Sequence, residues 1–460
     1  MTAGERVLAR IERDFPAYQA RWLDWLRIPS ISAQPAHAGD CRAAAEFARA
    51  ELASLGFSAA IRETAGLPLV LAHHAGPGNG APHLLFYGHY DVQPPEPLEL
   101  WHNPPFAPVE VDGPHGKRVV ARGAVDDKGQ TSMWLGALRA WVEETGGLPV
   151  GVTVLIEGEE ETGSPNLAPF LTANREALKA DVAVISDTAT WSIDTPAVTT
   201  RLRGLVYMEV RLRAAERDLH SGLYGGAALN PINALTAALA ALHDALGAVA
   251  IPGFYEGIVE PSAEQRAEWA ALGYDEAAFL ATIGLKHPAG EAGRGGLDRR
   301  WARPTCDING IWGGYAGPGS KTVIPAEAGA KVSFRLVPGQ DPAKIVAGFK
   351  HFIATHVPSD AKLEFIEHAS GRAIEVRRDS RFVQAARDAL AEEYGRPAVL
   401  IGSGGSIPVV ESLHTLLGLD SVLLGFGLDD DQVHSPNEKF EVACFRHGLR
   451  THARLLGKLG

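Results

Sequence analysis

Short apolar runs that end in acidic or histidine side chains recur along this chain, and they constrain its fold more than any other feature. We predict strands at Pro68–Ala72, His83–Tyr87, Val152–Ile156 and Val182–Ile185. Segments with helical spacing, for which we predict helices, are Glu5–Leu26, Asp40–Leu55 with Asp40 as its N-cap, and Thr131–Thr145. Strands that alternate with helices predict a three-layer α/β/α sandwich.

The pattern changes near residue 200 and returns near residue 371. Leu205–Leu212 and Ala330–Leu336 alternate apolar and polar residues, as strands with one exposed face do, and a long helix is predicted over Pro231–Leu246. Helical spacing at Ser380–Tyr394 and an apolar run at Ser421–Leu424 then resume the first pattern. We therefore predict one α/β domain, residues 1–199 and 372–460, interrupted by an α+β insert at residues 200–371.

The composition excludes several classes of protein. The 460 residues carry 43 Lys plus Arg against 55 Asp plus Glu, a net charge of −12 without a basic stripe, which disfavours a nucleic-acid partner. No apolar stretch approaches the roughly 20 residues that span a bilayer, and the first ten residues lack the features of a signal peptide. We expect a cytoplasmic protein with no membrane partner. Three separated cysteines without a CxxC motif exclude a disulfide framework and a thiolate zinc site.

Polar side chains follow several of the apolar runs, where a sheet of this class binds ligands. They are His89 and Asp91, the pair Asp126–Asp127, four glutamates within 157–161, Asp187, and His434. Each one alone also fits a simple structural role, such as a turn, an N-cap or a solvated loop. Together they form a nitrogen and oxygen donor set that suits Zn²⁺, Mn²⁺ or Co²⁺. Asp91 could accept a hydrogen bond from the ring nitrogen of His89 that faces away from a metal.

The order and wording of these motifs resemble the M20 family of metallopeptidases, and its dipeptidase branch in particular. The matching stretches, in order from residue 88 to residue 438, are GHYDVQP, ARGAVDDKGQ, EGEEETGS, SDT, DLHSGLYGG, KTVIP, SFRLVP, GGSIP and HSPNE. The resemblance extends over essentially the whole chain. It implies a hydrolase that cleaves the peptide bond of dipeptides or very short peptides, and an insert that serves as lid and dimerisation domain.

The resemblance also implies a centre with two divalent metal ions, zinc in the first place and manganese or cobalt as alternatives. Asp126 would bridge the two ions. His89 and Asp187 would complete one site, and Glu161 and His434 the other. The peptide bond between Asp126 and the following Asp127 would be cis, as it is in the family.

Catalytic roles follow from the same resemblance. The pattern E-E-x-G-S aligns on Glu160 and the following residues, so Glu160, and not Glu159, would be the general base. Asp91 and His220 would assist, with His220 reaching the active site of a second subunit and also contacting substrate. Dimerisation would then be required for activity.

Binding of the substrate carboxylate would involve Arg335 and Ser406, together with the backbone N–H groups of Gly404 and Gly405. Two alternatives to the dipeptidase remain open at this point. One is an amidohydrolase of N-acyl or N-carbamoyl amino acids. The other is a non-catalytic binding relative, which would be expected to lack metal ligands or the base.

Overall fold

A computed structural model describes residues 1–78 and 80–460 of the chain. The helices are α1 Ala3–Leu26, α2 Ala38–Ser54, α3 Lys128–Thr145, α4 Leu167–Ala173, α5 Ser221–Tyr224, α6 Pro231–Ala240, α7 Ala263–Ala270, α8 Glu276–Thr282, α9 Gly296–Trp301, α10 Pro342–His356, α11 Arg381–Tyr394, α12 Pro408–Leu417 and α13 Val442–Leu459. Short 3-10 turns lie at Pro35–His37, Leu98–Leu100 and Glu160–Thr162.

The chain also forms eighteen strands within the described residues. They are β1 Ser58–Arg62, β2 Leu69–His74, β3 His83–His89, β4 Val109–Gly113, β5 Gly116–Val120, β6 Gly151–Glu157, β7 Val182–Ile185, β8 Ala197–Leu202, β9 Gly204–Arg213, β10 Leu219–His220, β11 Thr305–Gly313, β12 Val323–Ile324, β13 Glu327–Leu336, β14 Lys362–Gly371, β15 Ile374–Glu375, β16 Val399–Ser403, β17 Ser421–Leu423 and β18 Lys439–Glu441.

The chain divides into two compact units. The first unit comprises residues 1–200, 376–401 and 412–460, and the second comprises residues 201–375 and 402–411. The sequence placed the two boundaries of the insert at 199/200 and 371/372. Residues 402–411, which the sequence analysis assigned to the α/β domain, group instead with the second unit. The cause is local, since the Arg203 side chain and backbone bind the carbonyl groups of Gly404 and Gly405.

The first unit contains a mixed sheet with the strand order β1-β2-β6-β3-β7-β17-β8. Strands β6, β3, β7 and β17 are mutually parallel, whereas β1, β2 and β8 pair in the antiparallel sense. Every residue of β6 and β7 is buried, which requires cover on both faces of the sheet. On α3, Trp134 packs edge-on against Phe86 of β3 and stacks on His452 of α13.

The second unit contains a four-stranded antiparallel sheet in the order β11-β13-β9-β14. Apolar side chains alternate along β9 and β13, and α6 and α10 cover that face. The shared core includes Met208, Val210, Val332, Phe334, Leu235 and Phe349. The opposite face carries polar residues such as Arg335, so the period of two in the sequence places this arginine away from the core.

Several predicted helix ends differ from the structure, and in two cases the contacts show how. Helix α6 ends at Ala240, not at Leu246, because the Asp244 carboxylate accepts hydrogen bonds from the N–H groups of Leu246 and Ala248 and closes a turn there. Helix α2 begins at Ala38, so Asp40 lies in its first turn and contacts His37 and is not the N-cap. Among the helices of the described residues, none is long and apolar enough to cross a membrane.

Candidate metal centre

Three parallel strands deliver side chains to one edge of the first unit's sheet. His89 is the last residue of β3, and Asp187 is the second residue after the end of β7. Glu160 and Glu161 form the short 3-10 turn that follows β6. Because β6, β3 and β7 run parallel, their carboxyl ends meet at the same edge, and the four side chains converge there.

Two loops add the remaining side chains. Asp126 lies just before α3, and the peptide bond between Asp126 and Asp127 is cis, as the resemblance implies. His434 lies in the loop before β18, where its backbone adopts a left-handed conformation with φ of 63°. Neither residue follows a strand of the main sheet.

The six side chains include two sets of three with ligand atoms close enough to share a metal ion. One set is His89, Asp126 and Asp187, and the other is Asp126, Glu161 and His434; within each set the ligand atoms lie within 4.8 Å of one another. Asp126 belongs to both. Its Oδ1 lies 3.1 Å from His89 Nε2, and its Oδ2 lies 2.9 Å from His434 Nε2. The two oxygens of one carboxylate therefore face two different imidazoles, which is the geometry of a bridging ligand.

Asp91 holds the surroundings of the cluster in place. Its two carboxylate oxygens accept hydrogen bonds from the backbone N–H groups of Glu160 at 3.3 Å and of Glu161 at 3.1 Å. Its Oδ1 also lies 3.4 Å from His89 Nδ1, which is 3.1 Å from the Asp91 carbonyl oxygen. Asp91 thus fixes the ring of one imidazole and the backbone of two glutamates, a larger role than the contact predicted from the sequence.

Burial and mutual repulsion shift the acid–base properties of these groups. Burial raises the pKa of Asp187 to about 7, with a further contribution from the charge of Asp126. Burial and the neighbouring carboxylates raise the pKa of Glu160 well above its usual range. Burial alone would also raise the pKa of Asp126, but the hydrogen bond with His434 and the nearby imidazole of His89 outweigh it and lower the pKa. Hydrogen bonds to Asp126 and Glu161 raise the pKa of His434 to about 10.

The donor set fits divalent cations. His89 Nε2 is buried and forms no hydrogen bond of acceptable geometry, although Asp126 and Asp187 oxygens lie 3.1 and 3.9 Å away. Such an imidazole nitrogen is poised to donate its lone pair to a cation. The carboxylates of Asp126, Asp187, Glu160 and Glu161 concentrate negative charge around it, and cations would neutralise that charge.

The second unit brings together the residues predicted to bind a carboxylate. Arg335 Nη1 donates to Ser406 Oγ at 3.0 Å. Arg203, which the sequence analysis missed, lies beside them and donates from Nε to the Gly404 carbonyl oxygen at 2.9 Å. Burial and the charge of Arg335 lower the pKa of Arg203 to about 10. Among the described residues, neither arginine has a carboxylate oxygen within ion-pair distance.

His220 also lies in the second unit, at the end of β10, with an exposed side chain. Its Nδ1 accepts a hydrogen bond from the Gly222 N–H at 2.9 Å. This contact leaves Nε2 available as a donor or acceptor for another molecule.

Glu438 is a second residue that the sequence analysis missed. It is fully buried, and its carboxylate accepts hydrogen bonds from the Arg122 side chain and from the backbone N–H groups of Gly123, Val125 and Asp126. The sequence offers one signal for it, since this glutamate closes the HSPNE stretch that carries His434. Nothing in a local pattern distinguishes it from an exposed loop glutamate.

The chain is similar to a known family of peptidases and to several proteins of that kind. The model of Peptidase family M20/M25/M40 matches residues 85–458. The Cys-Gly metallodipeptidase dug1 of Schizosaccharomyces pombe is 30% identical over 408 residues, 88% of this chain and 85% of its own. The human Beta-Ala-His dipeptidase is 29% identical, with 84% of this chain and 76% of its own covered. The solved M20 family metallo-carboxypeptidase Sso-CP2 from Sulfolobus solfataricus has a TM-score of 0.85 at 30% identity and covers 96% of this chain and 98% of that one.

Proposed function

Because the chain belongs to Peptidase family M20/M25/M40, we propose that it is a metal-dependent dipeptidase that hydrolyses the peptide bond of dipeptides or very short peptides. The observation that carries this proposal is the pair of ligand sets that share Asp126, with Glu160 beside them. The relatives with dipeptidase activity in their names support the substrate class. The presence of both ligand sets and of the base argues against a non-catalytic binding relative.

Two divalent metal ions are the proposed cofactor, with zinc first and manganese or cobalt as alternatives. His89 and Asp187 would hold one ion, Glu161 and His434 the other, and Asp126 both. When bound, such ions supply Lewis acidity, which lowers the pKa of a water and polarises a carbonyl group. Histidine and carboxylate ligands without thiolate suit all three metals.

Glu160 is the proposed general base. The attacking water forms a bond to the scissile carbonyl carbon and gives a proton to Glu160, and the proton passes to the leaving amine as the C–N bond breaks. Asp91 supports this role because it anchors the backbone N–H of Glu160. Among the described residues, the side chain of Glu160 forms no hydrogen bond. No such bond therefore has to break before Glu160 accepts the proton.

The free carboxylate of the substrate is the proposed ligand of Arg335 and Ser406, with the backbone of Gly404 and Gly405. Arg203 supports the same site, because two adjacent guanidinium groups that have no carboxylate partner in the described part of the chain attract an anion. This site would serve a dipeptide and an N-acyl amino acid equally, since both end in a carboxylate. The amidohydrolase of N-acyl or N-carbamoyl amino acids is therefore the alternative that must be tested.

We also propose a homodimer in which His220 acts on substrate bound by the partner subunit. The exposed edge strand β11 supports dimerisation, because Ile308, Ile311 and Trp312 expose 45, 53 and 40% of their surface there. The cytoplasm is the proposed location, which the three free, buried cysteines support.

The test uses protein stripped of metal with a chelator and then supplied with Zn²⁺, Mn²⁺ or Co²⁺. Activity toward a panel of dipeptides, including Cys-Gly and β-Ala-His, should be absent without metal and restored with it. Acetyl, succinyl and carbamoyl amino acids form the competing panel. Faster hydrolysis of that panel than of any dipeptide would favour the amidohydrolase, and full dipeptidase activity without metal would exclude the proposed mechanism.

The variant Glu160→Gln tests the assignment of Glu160 as the general base. It should retain both metal ions and lose at least about a thousandfold in kcat, since it removes proton transfer while keeping the shape of the side chain. Glu159→Gln is the matched control, because the neighbouring Glu159 carboxylate binds Asn166 and lies outside both ligand sets. Equal losses in the two variants would contradict the assignment of the base to Glu160.

A further inference from the structure

The carboxylate of Glu438 accepts four hydrogen bonds. Its Oε2 accepts from Arg122 Nη1 at 2.8 Å and from the Gly123 N–H at 2.9 Å, and its Oε1 accepts from the N–H groups of Val125 at 3.0 Å and of Asp126 at 3.1 Å. The side chains of Glu438 and Arg122 are each only 1% exposed. Burial of a carboxylate costs free energy unless hydrogen bonds compensate for the lost water. Here the loop that precedes α3 donates all four of these hydrogen bonds.

The same residue belongs to the loop that carries His434. Three residues of this loop other than glycine, Gln432, His434 and Asn437, have left-handed backbone conformations with φ of 56°, 63° and 64°. Such conformations are retained only where the surrounding contacts determine them. Glu438 is one such contact. Asn437 is another, since its amide binds the backbone of residues 100 and 102.

The strands next to the two loops are paired. Strand β18 starts at Lys439, immediately after Glu438, and β5 ends at Val120, shortly before Arg122; Lys439 lies opposite Val120 in the ladder. The Ala121 N–H donates to the Glu438 carbonyl oxygen at 3.0 Å and continues this pairing. Backbone pairing thus brings the two loops side by side, and the buried carboxylate joins their tips.

We propose that Glu438 is a positioning residue that locks the loop carrying Asp126 to the loop carrying His434 before a metal ion binds. The inference rests on the proposed function, because it assumes that these two residues are metal ligands. It adds a residue that neither touches a cation nor contacts substrate. Its hydrogen bond with the backbone N–H of Asp126 fixes the position of the Asp126 carboxylate. Its place in the loop that carries His434 fixes the orientation of the His434 imidazole.

The variant Glu438→Gln tests this role. The glutamine amide has nearly the shape of the carboxylate, but it lacks the charge that faces Arg122, and its NH2 group cannot accept a hydrogen bond from a backbone N–H. Residues that orient metal ligands typically contribute a factor of about 10 to 100 in affinity. We expect Glu438→Gln to bind Zn²⁺ about 10- to 100-fold more weakly, with the fold retained. Glu438→Asp keeps the negative charge and both acceptor oxygens, so this variant should bind Zn²⁺ more tightly than Glu438→Gln does.

The measurement is a titration of metal-free protein with Zn²⁺ against a chromophoric chelator, which requires no turnover. Glu393→Gln is the matched control. Glu393 is another buried carboxylate of the first unit with several charged donors, His447, Arg450 and Arg454, and it lies outside both ligand sets. Circular dichroism and thermal unfolding of each metal-free variant report the fold. The control variant should lose stability and keep the Zn²⁺ affinity of the original protein.

Two results would overturn the positioning role while leaving the proposed function intact. One is wild-type Zn²⁺ affinity in a folded Glu438→Gln variant. The other is an equal loss of affinity in Glu393→Gln, which would mean that general loosening of the unit is responsible. Absence of tight Zn²⁺ binding in the unsubstituted protein would instead overturn the metal centre itself, and the inference with it.

Discussion

Gly88 lies where the end of β3 packs closely against charged and polar groups at the start of α3. Gly88, the residue before His89, has no room for a side chain: a Cβ atom there would lie 2.2 Å from Thr131 Oγ1 and 2.9 Å from Asp127 Oδ2. Asp127 in turn accepts hydrogen bonds from the His89 N–H at 3.2 Å and from Thr131 Oγ1 at 2.7 Å. The glycine of the GHYD stretch is therefore required for the close approach of α3 to the end of β3.

His452 offers a prediction that is independent of the metal centre. It is fully buried against Trp134, and burial lowers its pKa to about 3. In the unfolded chain the imidazole takes up a proton below about pH 6.5, whereas in the fold it stays neutral. Below pH 6.5 the unfolded state therefore binds more protons, and the free energy of unfolding falls as the pH falls toward 3.

The variant His452→Gln removes this titration while keeping a polar atom for Ser186, whose Oγ lies 3.1 Å from His452 Nε2. Between pH 6.5 and pH 5 the original protein should lose roughly 1.5 kcal/mol more in free energy of unfolding than the variant does. Urea unfolding of both proteins, metal-free throughout, measures the difference. Parallel pH profiles for the two proteins would contradict a neutral buried imidazole.

Arg203 leads to a prediction about substrate choice. Arg203→Gln removes one of two adjacent positive charges, so kcat/KM for dipeptides with a free carboxylate should fall about 10- to 100-fold. Hydrolysis of the corresponding dipeptide amides should change little, because they lack the anion. Arg213→Gln is the control, since Arg213 is exposed and its partners among the described residues are backbone carbonyl groups of its own loop. An equal fall for acids and amides would contradict a role in carboxylate binding.

At the scale of secondary structure, the order of the strands explains why separate motifs form one cluster. The four central strands of the first unit are parallel, so the side chains that follow β3, β6 and β7 meet at one edge. The second unit uses the opposite arrangement, an antiparallel sheet with helices on one face. One face of β13 therefore contributes Phe334 to the core, while the next residue, Arg335, lies on the other face.

The edge strand β11 carries a prediction about assembly. Ile311→Lys places a charge among its exposed apolar side chains, so a dimer formed through this strand should dissociate. Sedimentation velocity should then show monomers, and dipeptidase activity should fall with them because His220 would no longer reach a partner. Ile283→Lys is the control: Ile283 follows α8 and is 60% exposed, compared with 53% for Ile311. A dimer that persists in Ile311→Lys would show that β11 is not the interface.

At the scale of the whole molecule, acidity and metal binding are linked. The net charge of −12 includes the buried carboxylates of the cluster, which two divalent cations would largely neutralise. Without metal, His434 with a pKa of about 10 holds a proton at pH 7, and Asp187 with a pKa of about 7 is half protonated. Both must lose these protons to bind a cation.

Binding of Zn²⁺ near pH 7 should therefore release at least about one proton per protein molecule, and the affinity should weaken as the pH falls from 8 to 6. Calorimetric titrations at pH 7 in buffers with different ionisation enthalpies measure the number of protons. The variant His434→Ala should release fewer. Identical binding enthalpies in all buffers would contradict the proton-linked binding.

Much of the fold and part of the candidate site were predictable from local patterns. The apolar runs at His83–Tyr87, Val152–Ile156 and Val182–Ile185 coincide with strands, because a strand buried on both faces must be continuously apolar. The turn at Asp244 and the grouping of residues 402–411 with the second unit were not predictable, because each depends on hydrogen bonds that a hydrophobic pattern does not encode.

The sequence by itself determined which residues lie at the ends of the parallel strands. It thereby placed His89, Glu160, Glu161 and Asp187 close together. Local patterns did not determine the contacts between distant loops, which the tertiary structure decided. His434 meets Asp126 across 308 residues, Glu438 meets Arg122 across 316, and Arg335 meets Ser406 across 71. The physical reason is that strand position follows from periodicity and burial, which are local properties, whereas a loop takes its shape from the buried hydrogen bonds that it makes with other parts of the chain.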